Sequence, residues 1–261
     1  MTLNRRTFVG ISAAATLGAR GAWVPENDPA ISVDRVSLQS SGTAISAYAA
    51  WPAAATPGTP SVVVIMHVWG VDATIRDVVR RLAKEGFAAI APDLYSRFDA
   101  PSGDGQTDFT IFRPYAQRLD RAQERGDVAA AVSWLKGKFA ETKVGIMGFC
   151  MGGRIVLNEV VDDGTLFAAA APFYGAVESV DPRAVRVPVC GSYGALDKGI
   201  PPDSVRAFAA ALTVPNDFHV YDGAGHAFFD DTRASYEASA SADAWARTLA
   251  FFRKYLGGTT Q

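Results

Sequence analysis

Hydrophobic and polar positions alternate with period two over Ser32–Gln39 and again over Thr43–Trp51, with Ser40-Ser41-Gly42 between them. Such alternation marks half-buried strands, and the intervening residues suit a turn. The chain is therefore predicted to open its fold with an antiparallel hairpin. Later apolar runs are denser. Ser61–His67, Phe87–Ala91, Lys143 to Phe149, Phe167–Phe173, Val187–Ser192 and Phe218–Tyr221 are short and mostly apolar. This is the composition of parallel strands covered on both faces. Between them the period changes to that of a helix. Thr74–Glu85 carries Ile75, Val78, Val79 and Leu82 on one side, and Gly86 stops it. Asp120–Lys136 turns Val128, Ala131, Val132 and Leu135 inward. The residues after Gly152, then Pro202–Leu212 and Ala234–Leu256, complete the series. Strands alternating with helices predict an α/β fold: a doubly wound, mostly parallel sheet with an N-terminal antiparallel hairpin.

In sheets of this kind, reactive groups collect beyond the carboxyl ends of the strands. Four segments fall there. The first is Val68-Trp69-Gly70-Val71-Asp72. The second is the long stretch Leu94 to Arg113, whose length and aromatic content predict a pocket wall. The third is Gly148-Phe149-Cys150-Met151-Gly152, a Gly-x-Cys-x-Gly turn between strand and helix. It has the form of a nucleophile elbow with cysteine at the reactive position. A helix N-terminus there favours thiolate over thiol. Alone, the pentapeptide favours the reactive reading but is also open to a buried structural cysteine. The fourth segment type adds Asp197 and His226, each just after a predicted strand. The order Cys150, Asp197, His226 is nucleophile, acid, base. His226 would take the thiol proton and Asp197 would hold the imidazole. The backbone N–H groups of Met151 and Val68 would form the oxyanion hole.

Composition narrows the classes of function. A net charge of −2 gives no basic surface for nucleic acid. Two cysteines, Cys150 and Cys190, exclude a disulfide framework, and three histidines without ligand spacing give no metal site. Cys190 and His219 sit inside strand patterns and read as structural. The N-terminus is distinctive: Arg5-Arg6 precede a weakly apolar run from Gly10 to Ala19, and no acidic residue occurs before Glu26. This predicts a twin-arginine export signal cut near Ala19-Arg20-Gly21, engagement with the export machinery, and a periplasmic or secreted enzyme. If the signal is not functional, the location is cytoplasmic. The apolar run is too short to span a bilayer, so no stable membrane insertion of the mature chain is expected. The expected division is a signal and linker over residues 1–30 and one catalytic domain over residues 31–257.

The chain resembles the dienelactone hydrolase (carboxymethylenebutenolidase) family of the α/β-hydrolase fold. The resemblance runs from about Val62 to Leu256. It is carried by Ile75-Arg76-Asp77-Val78, Ala91-Pro92-Asp93-Leu94-Tyr95-Ser96-Arg97, Gly148-Phe149-Cys150-Met151-Gly152-Gly153, Tyr193-Gly194-Ala195-Leu196-Asp197 and Gly225-His226-Ala227-Phe228. It implies hydrolysis of a small-molecule lactone or ester by a Cys-His-Asp triad with no cofactor. It also implies that Arg97 binds a substrate carboxylate, a task suited to a guanidinium. Two positions depart from the family. His67 stands where a glutamate commonly contacts the resting nucleophile, so His67 and Trp69 become candidate substrate-contacting residues; His67 is equally open to a structural role. Asp230 stands where a second substrate-binding arginine is expected, with Arg233 shifted nearby. These departures turn the expectation from an anionic diene lactone toward a neutral or differently shaped ester or lactone. The alternatives are thioester hydrolysis or acyl transfer at the same site, or a non-catalytic binding or thiol redox-sensing protein.

Overall fold

The computed structural model describes residues 23–257. The paired arginines and the expected cleavage site lie outside the described residues. The strands are β1 (Ile31–Ser40), β2 (Thr43–Pro52), β3 (Ser61–Ile65), β4 (Ala88–Pro92), β5 (Val144–Phe149), β6 (Ala169–Phe173), β7 (Val189–Gly194) and β8 (Asn216–Tyr221). They form one sheet in the order β1-β2-β4-β3-β5-β6-β7-β8. The hairpin pairs Ile31 with Pro52 and Ser40 with Thr43. β2 then runs antiparallel to β4, and all remaining pairs are parallel. Every residue of β3 to β7 is buried, which is why these runs lack alternation.

The helices are α1 (Ala73–Lys84), α2 (Arg113–Ala116), α3 (Arg121–Lys138), α4 (Met151–Asp162), α5 (Pro202–Ala211) and α6 (Ala238–Leu256). Side chains cap three of the long ones: Asp72 for α1, Asp120 for α3 and Glu237 for α6. The Glu237 cap explains why α6 starts four residues after the expected Ala234. Its carboxylate accepts from the N–H groups of Ser239 and Ala240, and the preceding residues form turns around Asp230. The expected strand to His67 ends at Ile65, because His67 folds back to pair with Gly70. Residues 24–29, read as linker, are docked: Asp77 accepts from the Val24 N–H, and Arg80 donates to the Val24 carbonyl.

The core is tightest where β5 turns into α4. A Cβ on Gly148 would lie 2.5 Å from the Gly152 carbonyl oxygen, and one on Gly152 would lie 2.5 Å from the carbonyl oxygens of Ile65 and Met66. Only hydrogen fits there, so backbone packs on backbone. On the other face of β5, Gly145 receives Phe252 and Leu256 of α6. Gly152→Ala should therefore lower stability by about 3 kcal/mol in urea denaturation, through overpacking against backbone that cannot move aside. Gly137→Ala on α3 has nothing within 4 Å of the new methyl. It should raise stability by about 0.5–1 kcal/mol in the same assay, because alanine loses less chain entropy in a helix.

Candidate active site

The turn at Cys150 is strained. Its backbone holds φ 56 and ψ −115, a region that non-glycine residues rarely enter. Such a conformation costs on the order of 1–3 kcal/mol and persists only where the surroundings impose it. Here the Cys150 N–H donates to the Phe173 carbonyl at 3.0 Å, and the glycine contacts fix both flanks. The result lifts the thiol out of the sheet at the first turn of α4.

Three side chains from three strand ends then meet. His226 Nε2 lies 3.1 Å from Cys150 Sγ, and His226 Nδ1 lies 2.7 Å from Asp197 Oδ2. Asp197 is buried, and its other oxygen accepts from the N–H groups of Gly199 and Ile200 at 2.9 and 3.2 Å. Burial disfavours the charged carboxylate, but the His226 hydrogen bond and those backbone donors outweigh it and hold the Asp197 pKa below its ordinary value. Burial likewise opposes the imidazolium. The bonds to Asp197 and Cys150 reverse that effect and raise His226 to about 10. The His226 contribution to stability is therefore fully present below its ordinary value of 6.5 and is lost as pH rises through about 10. That of Asp197 is present above 3.8 and is lost as pH falls through its depressed value. Tyr174, itself at φ 37, sets its ring edge-on against His226 with centroids 5.2 Å apart.

Cys150 and His226 open into a cavity of about 430 Å3. Val68, Phe109, Met151 and Ile200 give it an apolar lining, and Arg154 is its one arginine. Phe109 comes from the long stretch expected to wall the pocket. Val68 and Met151, the expected oxyanion-hole residues, stand together at this cavity. Tyr95 fastens the Val68 segment: its hydroxyl donates to the Val68 carbonyl at 3.0 Å and lies 3.8 Å from Met151 Sδ. Sequence reasoning did not single out this tyrosine as a fastener, because its target is distant in the chain. It also missed Arg154, which follows Cys150 by four residues and lines the same cavity. A larger cleft of about 790 Å3, between the hairpin and residues 99–103, contains neither Cys150 nor His226.

The three expected substrate-contacting residues are engaged elsewhere. Arg97 forms a two-pronged pair with buried Asp127, at 2.5 and 2.6 Å, so its guanidinium is filled by the protein's own carboxylate. His67 is buried, with Nε2 2.9 Å from Asp72 Oδ1 but not aligned as a hydrogen bond, and Nδ1 3.9 Å from Asp230. Trp69 lines the larger cleft and carries Arg233 over its ring at 3.6 Å. Arg233 in turn binds Asp230 and the Gln106 carbonyl. None of Arg97, His67 or Trp69 lines the Cys150 cavity. His67 helps order the loop that bears Val68 instead of meeting the thiol. Cys190 is buried in β7, and burial pushes its thiol up to about 12. Among the described residues no helix is long and apolar enough to cross a membrane.

Residues 45–256 match the Dienelactone hydrolase family. A provisionally named carboxymethylenebutenolidase of Methylorubrum extorquens is 34% identical over 97% of this chain and 94% of its own. One of Salmonella typhimurium is 35% identical over 88% of this chain and 90% of its own. Among solved structures, a provisionally named dienelactone hydrolase of Klebsiella pneumoniae superposes with a TM-score of 0.79 at 34% identity, covering 87% of this chain and all of the other.

Arg97→Ala should act on stability. It strands the Asp127 carboxylate, 1% exposed, without its cation. The expected loss is about 3–5 kcal/mol by chemical denaturation.

Proposed function

Since the chain belongs to the dienelactone hydrolase family, and so is a carboxylic ester hydrolase, we propose that it hydrolyses a small lactone or ester through a Cys-His-Asp triad and an acyl-enzyme, without a cofactor. The observation that carries this reading is the continuous contact from Asp197 through His226 to Cys150 at 2.7 and 3.1 Å, facing an apolar cavity. The Cys150 proton passes to His226 Nε2, and the raised imidazole pKa favours a thiolate–imidazolium pair. The thiolate attacks the ester carbonyl carbon. The oxyanion that forms is held by the N–H groups of Met151 and Val68, with the α4 dipole behind Met151. The tetrahedral centre collapses as the carbon–oxygen bond breaks, and the imidazolium protonates the departing alkoxide. In a lactone that alcohol stays tethered to the acyl group. Water then gives a proton to His226 and attacks the thioester, releasing the acid and restoring the thiolate. Asp197 keeps one imidazole tautomer throughout.

Cys150→Ala should abolish hydrolysis of activated aryl esters, whereas Cys190→Ala should leave it nearly intact. In wild type, kcat/KM should decline above about pH 10, where the free enzyme loses the imidazolium proton. Mass spectrometry of the quenched reaction should detect an acyl group on Cys150. Equal rates for wild type and Cys150→Ala would overturn the proposal.

The paired Arg5-Arg6 and the apolar run behind them support a second part of the reading, export by the twin-arginine route to the periplasm or beyond. Cell fractionation should find processed protein outside the cytoplasm. Recovery of full-length protein from the cytoplasm alone would refute it.

A further inference from the structure

Arginines stand near the reactive end of the sheet, and two of them are saturated by the protein. Arg97 is closed by Asp127, and Arg233 is held by Asp230, the Gln106 carbonyl and the face of Trp69. Arg154 differs. It lies on α4, four residues past the nucleophile, and lines the cavity that contains Cys150 and His226. Its ion partner is Glu124 of α3, at 3.7 Å. That separation is too long for a hydrogen bond, so the guanidinium's donors are not consumed by the contact. The side chain is 35% exposed, and the walls around it are mainly apolar. A cation facing an apolar cavity attracts an anion more strongly than one in open water.

We propose that Arg154 is the specificity-determining residue of this hydrolase, holding a substrate carboxylate in the cavity where Cys150 attacks the carbonyl. Cys150 and Arg154 line one cavity of about 430 Å3, so a small substrate can present its carbonyl to one and its carboxylate to the other. A planar guanidinium with free donors can bind a carboxylate through two parallel hydrogen bonds. Glu124 is the competing anion. It stays 3.7 Å from the guanidinium, and burial raises its pKa. The substrate preference thereby returns to anionic compounds, through a residue on the helix that follows the nucleophile instead of Arg97 or a position after His226. This assignment rests on the esterase reading above.

A matched pair of substrates tests it: 3-acetoxybenzoate and its methyl ester, which differ in one charge. Wild type should prefer the acid. Arg154→Gln should lower the acid-to-ester ratio of kcat/KM by roughly tenfold or more, mainly by raising KM for the acid, as expected for a lost charged hydrogen bond. Glu124→Gln removes the competitor and should move the ratio the opposite way. Wild-type preference for the methyl ester, an unchanged ratio in Arg154→Gln, or a fall of the ratio in Glu124→Gln would overturn the proposal. Binding gives a second readout that needs no turnover. Calorimetry of 3-acetamidobenzoate, an amide that keeps the carboxylate, on Cys150→Ala protein should show binding that Arg154→Gln weakens by a similar factor. Arg154-dependent binding without ester hydrolysis in wild type would sink the esterase reading and leave only the carboxylate-binding role of Arg154. Hydrolysis of both esters with no Arg154 effect would do the reverse.

Discussion

Contact between bare backbones at Gly148 and Gly152 is the constraint from which the reactive geometry follows. Those two residues let α4 settle onto the end of β3, within a distance that no side chain permits. Gly153 and Gly175 do the same on the β6 side, where a Cβ on Gly175 would stand 2.2 Å from the Gly153 carbonyl carbon. With both flanks fixed, the residue between them must take the strained conformation seen at Cys150. The strain is thus supported by packing over several strands, not by local propensity. The same clamp brings the Val68 segment beside Met151, and Tyr95 then secures it by a hydroxyl.

Charge around this clamp is sorted into separate compartments. On one side, Asp197 and His226 tune each other next to the thiol. Behind the Val68 loop, His67, Asp72, Asp230 and Arg233 form a largely buried polar cluster in which Arg233 pairs with both carboxylates and Asp72 also caps α1. Farther out, Arg97 and Asp127 join the start of the long pocket-forming stretch to α3. Each compartment is internally compensated, as burial demands. Arg154 stands apart because its partner is distant and its cavity is open.

Much of this was legible in the order of residues. Continuous apolar runs revealed the buried strands, and the positions of Cys150, Asp197 and His226 after strand ends foretold that they would converge. What sequence could not reveal was partner choice. Arg97 follows a strand, like a ligand-binding residue, but Asp127 lies 30 residues later on the inward face of α3, where periodicity draws attention to Val128 and Ala131. His67 extends an apolar run and reads as strand, yet it turns back to Gly70 and joins a charge cluster whose members lie far along the chain. The start of α6 moved because a glutamate acted as cap, a role that spacing alone does not distinguish from an ordinary first turn.

Asp197 has two duties that cannot be separated. One carboxylate oxygen faces His226, and the other gathers the N–H groups of Gly199 and Ile200, which border the cavity. The group that holds the His226 imidazole is thus also a hinge pin for part of the cavity wall. Reshaping that wall to admit a bulkier acyl group would tug on the carboxylate and detune the imidazole. Directed evolution for new substrates should therefore find easier routes through Phe109 and Ala116, which line the same cavity without bonding to Asp197.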